Sequence, residues 1–227
     1  MIVLLLGPPG CGKGTQATAL AAHFQIPIIS TGELFRAECN SGTELGVLAA
    51  SLMSQGKLVD DSIVNELVAS RVSRRDCLDG FLLDGYPRTL MQARYLSSLL
   101  ETRGRREPLV IHLEVPPSTI VSRLMARRQC PQCRRIYNLV SQPSRSLGLC
   151  DQDGAALMIR DDDREEVIRE RLQVYETRTG PILDWYGPLV HRVPGDRPAH
   201  LVEMEIERIA RQARGVQTMS ANVFRSL

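Results

Sequence analysis

Aromatic side chains are scarce in this chain: one Trp, five Tyr and four Phe among 227 residues. Single-stranded nucleic acids are commonly held by stacking bases on such rings, so the supply argues against a stacking platform. An excess of one charge is also missing. The 28 Lys and Arg stand against 26 Asp and Glu, a formal charge of +2, which gives no global field favouring nucleic acid or an anionic membrane. Any basic site must therefore be local. No apolar run approaches the roughly 20 residues that cross a bilayer. The apolar start, Ile2 to Leu6, is too short for a secretory h-region and has no basic segment before it. A cytoplasmic location is the expectation. Cys11, Cys39 and Cys77 are scattered, a pattern of small buried hydrophobes rather than of a disulfide framework. No Ser-His-Asp or Cys-His nucleophile arrangement stands out.

What is present begins at once. Residues 2–6 read as a strand buried on both faces, as in a parallel sheet. Gly7, Gly10, Gly12 and Gly14 then free the backbone to curl around an anion with its N–H groups inward. A helix from Thr15 to Phe24 would aim its positive end at the same phosphates, and Lys13 adds a full charge. Gly7-x4-Gly12-Lys13 is a Walker A loop and predicts nucleotide binding through Gly10, Cys11, Gly12, Lys13, Gly14 and Thr15. Gly14 occupies the position where such loops usually offer a hydroxyl to magnesium, with Thr15 following.

Downstream, Ser30-Thr-Gly-Glu33 has capping-box spacing for a helix to about Asn40, and a second helix is expected from about Gly46 to Gln55. Asp60-Asp61 cap a third, with Ile63, Val64, Leu67, Val68 and Val72 on one face. Further strands are expected at Phe81–Asp84, Leu109–Val115 and Val190–Val193. A helix carrying Ala93, Leu96 and Leu100 is expected after the Gly85–Arg88 turn, and others from Pro117 to about Arg127, from Asp161-Asp-Asp163, which cap it, through Thr177, and from Ala199 to Arg214, with a disordered tail from Gln217. Strands alternating with helices imply an α/β fold with a central parallel sheet, residues 30–59 forming a small helical insertion.

Asp84 closes a strand, where open α/β sheets bind ligands; it could hold a magnesium-bound water or be an ordinary turn aspartate. Arg36, Arg88, Arg123, Arg127, Arg160 and Arg171 each lie near an element end. Phosphoryl transfer needs such charge and alignment rather than a protein nucleophile. Cys130-x2-Cys133 and, sixteen residues on, Cys150-x2-Asp153 make two turns of two ligands each, the pattern of a tetrahedral zinc site. A redox Cys-x-x-Cys and a chance cluster are the other readings.

These motifs together resemble the adenylate kinase family, to about residue 214. The resemblance rests on Gly7 to Thr15, Ser30-Thr-Gly-Glu-Leu-Phe-Arg36, Gly56-Lys-Leu-Val59, Asp84-Gly-Tyr-Pro-Arg88 with Gln92, Arg123 with Arg127-Arg128, and Arg160-x10-Arg171. It implies a P-loop kinase catalysing ATP + AMP ⇌ 2 ADP with Mg2+. Thr31, Arg36, Lys57, Leu58, Val59, Gly85, Tyr86, Pro87, Arg88 and Gln92 would bind AMP. Gly10 to Thr15, Arg123, Arg127, Ile136, Tyr137 and Arg197 would bind ATP. Arg160 and Arg171 would reach the phosphates, with Lys13, Asp84, Arg88 and Arg127 completing the catalytic set. Residues 1–29, 60–126 and 165–227 would form the core, 30–59 an AMP-binding arm and 127–164 a lid braced by structural Zn2+ on Cys130, Cys133, Cys150 and Asp153. A monomer with no nucleic-acid or membrane partner follows. Departures are Tyr86 for a common phenylalanine, Asp161 where lysine can follow the lid arginine, and Pro194 for a frequent aspartate. Rival functions are a kinase for UMP or CMP, a GTP-dependent AMP kinase, and, in another class, a P-loop switch or zinc-ribbon nucleic-acid-binding protein.

Overall fold

The computed structural model describes all residues except Gly42, Arg106 and 224–227, and leaves the side chains of 40–41 and 216–223 undescribed. Five parallel strands, β1 (Ile2–Leu6), β2 (Ile28–Ser30), β3 (Phe81–Asp84), β4 (Leu109–Glu114) and β7 (Val190–Pro194), form a sheet ordered β2-β3-β1-β4-β7. β1 lies at its centre, with Leu4 opposite Leu83 on one side and Val110 on the other. Its five residues are all buried, which is why they read as an unbroken apolar run rather than an alternating one.

Period-2 geometry sends Ile2, Leu4 and Leu6 to one face and Val3 and Leu5 to the other. On the first face they pack with Val64, Val68 and Val72 of α4 (Asp61–Val72) and Ala93, Leu96 and Leu100 of α5 (Leu90–Thr102). On the second they meet Ala17 and Leu20 of α1 (Lys13–Phe24) and Val202, Ile206 and Ile209 of α9 (Ala199–Val223). Each Val, Leu or Ile among them, fully buried, contributes about 1.5–3 kcal/mol. Helix starts follow their caps: Asp60 accepts from Ser62 N–H at 2.8 Å, and Thr89 from Gln92 N–H at 3.1 Å. No described helix is long and apolar enough to cross a membrane.

Several expectations need correction. The three-residue strand β2 was not expected; it pairs with β3 at the sheet edge. The box at Ser30 is replaced by a different pairing, in which Glu33 accepts from Arg36 Nε at 3.0 Å. α1 begins at Lys13, two residues before the expected Thr15. The helix expected over 161–177 divides into a 3-10 turn (Asp161–Asp163), α7 (Glu165–Val174) and a π turn (Tyr175–Thr179), followed by α8 (Ile182–Tyr186). The tail expected to be disordered continues α9 to Val223, since 215–223 contain no proline to end a helix; 224–227 lie outside the described residues. Cys11 and Cys77 are buried free thiols as expected, and Cys39 is half-buried.

After β2, α2 (Thr31–Ser41) and α3 (Glu44–Ser54) pack closely. At Gly46 an added Cβ would stand 2.2 Å from the Glu38 carbonyl oxygen, so only glycine permits this approach. Gly46→Ala should therefore cost about 1–3 kcal/mol as overpacking, lowering Tm by roughly 2–4 °C per kcal/mol. Thermal melting checks this, and a variant that melts with the parent would show that the two backbones do not meet there.

Candidate active site

β1 delivers the chain into the glycine-rich loop, and Gly12 caps α1 with φ +102°, a left-handed conformation that side-chain-bearing residues rarely adopt. The first-turn N–H groups of α1 therefore face the open end of the sheet. Lys13 Nζ folds back over the loop, donating to the Gly7 and Pro8 carbonyls at 2.7 and 2.9 Å. Asp84, at the end of β3, places Oδ2 4.0 Å from where a Cβ on Gly14 would stand, so the strand-end carboxylate faces the P-loop. Cys11 is buried beside the loop, and its burial pushes the thiol pKa up.

The opposite wall is stitched from three elements. Thr31 Oγ1, at the start of α2, donates to Gly85 O at 2.9 Å, and Arg88 Nε donates to the same oxygen at 2.7 Å. Gln92, buried on α5, accepts from Arg88 N–H at 2.7 Å and donates to Asp61 Oδ1 at 2.7 Å. Its amide thus spends one donor and one acceptor on the protein and retains one of each. Burial pushes the Arg88 pKa down, against the opposing pull of the Asp84 carboxylate. Tyr86 is the predicted binding residue that does not reach the cleft: its fully buried side chain donates to Asn65 Oδ1 at 2.6 Å, so an ordered polar partner accounts for tyrosine there. Lys57 Nζ donates to Gln55 Oε1 at 3.0 Å, and Lys57, Leu58 and Val59 edge the cleft with Arg36.

Between the walls, three arginines converge on two aspartates. Arg160 donates twice to the Asp162 carboxylate, at 2.9 and 2.7 Å. Arg171 donates to Asp162 O at 2.8 Å, and Arg127 to Asp163 Oδ2 at 2.7 Å. Burial alone would raise the Asp162 carboxyl, but Arg171 and Arg160 outweigh it and hold the pKa at about 2. Burial lowers Arg171 to about 10, with Asp162 opposing it, so the group stays charged at neutral pH. Asp161 to Asp163 were expected to cap a helix. Instead Arg164 holds the N-cap position of α7 without a side-chain cap bond, and Asp162 and Asp163 turn inward to the arginines. The signal was in the sequence, as an Asp run directly after Arg160 and ten residues before Arg171.

Lys13, Arg36, Arg88, Arg123, Arg127, Arg160, Arg171 and Arg197 line one cavity of about 1290 Å³ with Gly10 to Thr15, Thr31, Gly85, Pro87, Gln92, Ile136 and Tyr137. That exceeds the roughly 300–1,000 Å³ of a site for one small molecule. At the far end Arg123 donates to Gly195 O at 2.8 Å, while Arg197 pairs with Glu205. The cleft accordingly suits two polyanionic ligands end to end.

A family model described as adenylate kinase matches residues 5–189. The chain belongs to the adenylate kinase family. An adenylate kinase of Pseudothermotoga lettingae is 47% identical over 82% of this chain and 86% of its own length. One from Oceanobacillus iheyensis is 45% identical over 92% and 98%, and one from Symbiobacterium thermophilum 43% over 94% and 100%.

Outside the cleft, this adenylate kinase family member carries its cysteine cluster on a small hairpin, β5 (Arg127–Gln129) with β6 (Ile136–Asn138), and the turns beyond it. One ligand atom from each of Cys130, Cys133, Cys150 and Asp153 lies within 4.8 Å of all the others. Three thiols and a carboxylate at this spacing fit tetrahedral zinc. Two turns of the same design present them: Cys133 N–H donates to Cys130 Sγ and Gln152 N–H to Cys150 Sγ, both at 3.4 Å, and Arg134 and Gly154 both take positive φ. Tyr137 joins cluster to cleft, its hydroxyl 3.4 Å from Cys150 Sγ and accepting from Asp151 N–H at 2.8 Å.

The Asp162 pairing generates a pH prediction. Its folded pKa of about 2 is depressed from roughly 3.9 in an unfolded chain. Its contribution to stability is therefore complete above the unfolded value and lost as pH falls through the folded one. In denaturant melts, the stability gap between the parent and Asp162→Asn should stay constant above about pH 5 and narrow below about pH 4. A gap that widens on acidification would overturn the pairing.

Proposed function

We infer that the chain catalyses reversible phosphoryl transfer from ATP to AMP, giving two ADP. The observation that carries this reading is the single two-ended cleft, with a Walker A loop at one end, a Thr31–Gly85–Arg88–Gln92 wall at the other and guanidinium groups between. Family membership supplies the nucleotides. ATP would lie with its phosphates on the N–H groups of residues 10–15 and its base towards Arg123, Ile136, Tyr137 and Arg197. AMP would lie against Thr31, Arg36, residues 57–59, 85–88 and Gln92, whose remaining donor and acceptor suit an adenine edge.

A phosphate oxygen of AMP would attack the γ-phosphorus in line, so no protein nucleophile is needed. Lys13 is held by two carbonyls 2.7 and 2.9 Å away and exchanges them for phosphate oxygens when a nucleotide enters. Arg88, Arg127, Arg160 and Arg171 would meet the charge that spreads over the transferring group. Mg2+ accompanying ATP would neutralise phosphate charge, and Asp84, whose carboxylate faces Gly14, would hold a water bound to it. Closing the cleft excludes water, which would otherwise accept the phosphoryl group. Both nucleotide ends lie on one chain, which supports a monomer.

Zinc on Cys130, Cys133, Cys150 and Asp153 would be structural, since four protein ligands leave no open position for substrate. The segment 127–164 buries only a small cluster of its own around Cys130, Tyr137 and Cys150. Metal-binding energy would then act as folding energy for that lid.

Lys13→Ala and Arg88→Ala should each lower turnover by about 10²–10³ or more with the fold retained, as lost transition-state donors do. Coupled detection of ADP formed from ATP with AMP, UMP, CMP or GMP checks this. Near-normal turnover of Lys13→Ala would defeat the P-loop assignment, and equal use of UMP or CMP by the parent would move the reading to a pyrimidine kinase. Separately, metal analysis should find one zinc ion in the parent and none in Cys130→Ser with Cys133→Ser, the variant losing hydrogen-exchange protection first in 127–164. Turnover abolished by gentle chelation with the lid still protected would make the metal catalytic instead.

A further inference from the structure

Two polar side chains beyond the P-loop, AMP-wall and lid groups reach the cleft from one unusual stretch of backbone. α7 carries Arg171 inward and runs directly into the π turn Tyr175–Thr179, where Gly180 N–H reaches back five residues to Tyr175 O at 2.8 Å. At about 100° per residue, a regular helix would set Thr179 about 80° around the axis from Arg171. One residue absorbed in the π turn reduces that to about 20°, returning Thr179 to the cleft face. There Thr179, 7% exposed, donates its hydroxyl to the Arg88 carbonyl at 3.0 Å. The other side of the same residue is held as well, because Arg88 N–H donates to Gln92. At the start of the turn the Tyr175 hydroxyl lies 2.8 Å from His112 Nε2, on a β4 residue paired with Leu6 at the mouth of the P-loop.

We propose that Thr179 is a positioning residue for Arg88, and that the π turn exists to aim Arg171 and Thr179 into the cleft from one continuous helix. The proposal rests on the phosphotransfer reading of the same site. Arg88 contributes only when its guanidinium meets the transferring phosphoryl group in register. A long side chain on a loop between β3 and α5 has register only if its backbone is fixed on both sides, by Gln92 at N–H and by Thr179 at C=O. A buried carbonyl left without its donor would shift towards another partner and carry the guanidinium off line.

The test is steady-state kinetics of Thr179→Val and Thr179→Ser in the parent and in an Arg88→Ala background. Valine keeps the volume and removes the donor. It should lower kcat about tenfold, the worth of one buried hydrogen bond expressed as a rate, with KM for ATP unchanged and Tm within a few degrees of the parent. Serine should restore kcat to within about twofold of the parent, retaining the donor that fixes Arg88. In the Arg88→Ala background the valine change should have no further effect on kcat, because the group it positions is gone. Parent-like kcat for Thr179→Val, or the same proportional loss with and without Arg88, would overturn the proposal. A parent protein that forms no ADP from ATP and AMP would instead refute the phosphotransfer reading.

Discussion

The structure depends on keeping several guanidinium groups charged and close together inside a cleft. Arg88, Arg160 and Arg171 are partly or wholly removed from water, and burial lowers the pKa of both Arg88 and Arg171. Desolvating a cation costs several kcal/mol unless a partner and hydrogen bonds offset it. The offset comes from Asp162 and Asp163, two carboxylates shared among Arg127, Arg160 and Arg171, and for Arg88 first from Asp84, so the arginine cluster keeps an excess of positive charge at the cavity. That excess is a site's affinity for phosphate stored in the fold before any ligand arrives. It also explains why no single element could build the site: like charges this close would repel along one helix. Arg88 follows β3, Arg127 opens β5, Arg160 precedes a 3-10 turn and Arg171 rides on α7.

The parallel sheet makes that convergence possible. β1 and β3 end together, with Leu5 paired to Asp84, so the P-loop and the Arg88 loop leave neighbouring strands at the same edge. The strands need burial on both faces to hold this register, and the two cores packed against β1 provide it. The site is thereby mounted on the least deformable part of the molecule, while α2, α3 and the β5–β6 hairpin present their residues from outside the sheet.

Much of this was legible in the sequence because local chemistry and tertiary position coincide there. The run Ile2 to Leu6 followed by Gly12-Lys13 can do little else than end a buried strand in an anion loop, and Asp60 caps its helix by a contact two residues away. The misses have the opposite character. β2 is only three residues long after Pro27 and exists because β3 offers it an edge. Asp162 and Asp163 carry the local signature of caps, but Arg160, two residues before Asp162, and Arg127, thirty-six before Asp163, compete for them, and a charge-assisted pair wins over a cap bond. Tyr86 sits inside a binding motif yet points into the core, where Asn65, twenty-one residues away, decides its orientation. The π turn leaves no compositional mark at all.

The cysteine cluster shows how the same reasoning separates two kinds of site. Its ligands come from turns with little apolar surface beneath them, and the N–H groups of Cys133 and Gln152 already point at sulfur. Such pre-aimed donors stabilise thiolates and fix their orientation, as outer-shell bonds do around metals. The arginine cleft, in contrast, has its excess charge aimed at open space. Four groups turned on one another leave no open position for a substrate, whereas an uncompensated set leaves charge free to meet one. Tyr137 lies at the boundary, with its hydroxyl on Cys150 and its ring under Arg135, so one side chain is shared between the cysteine turns and the wall of the cleft.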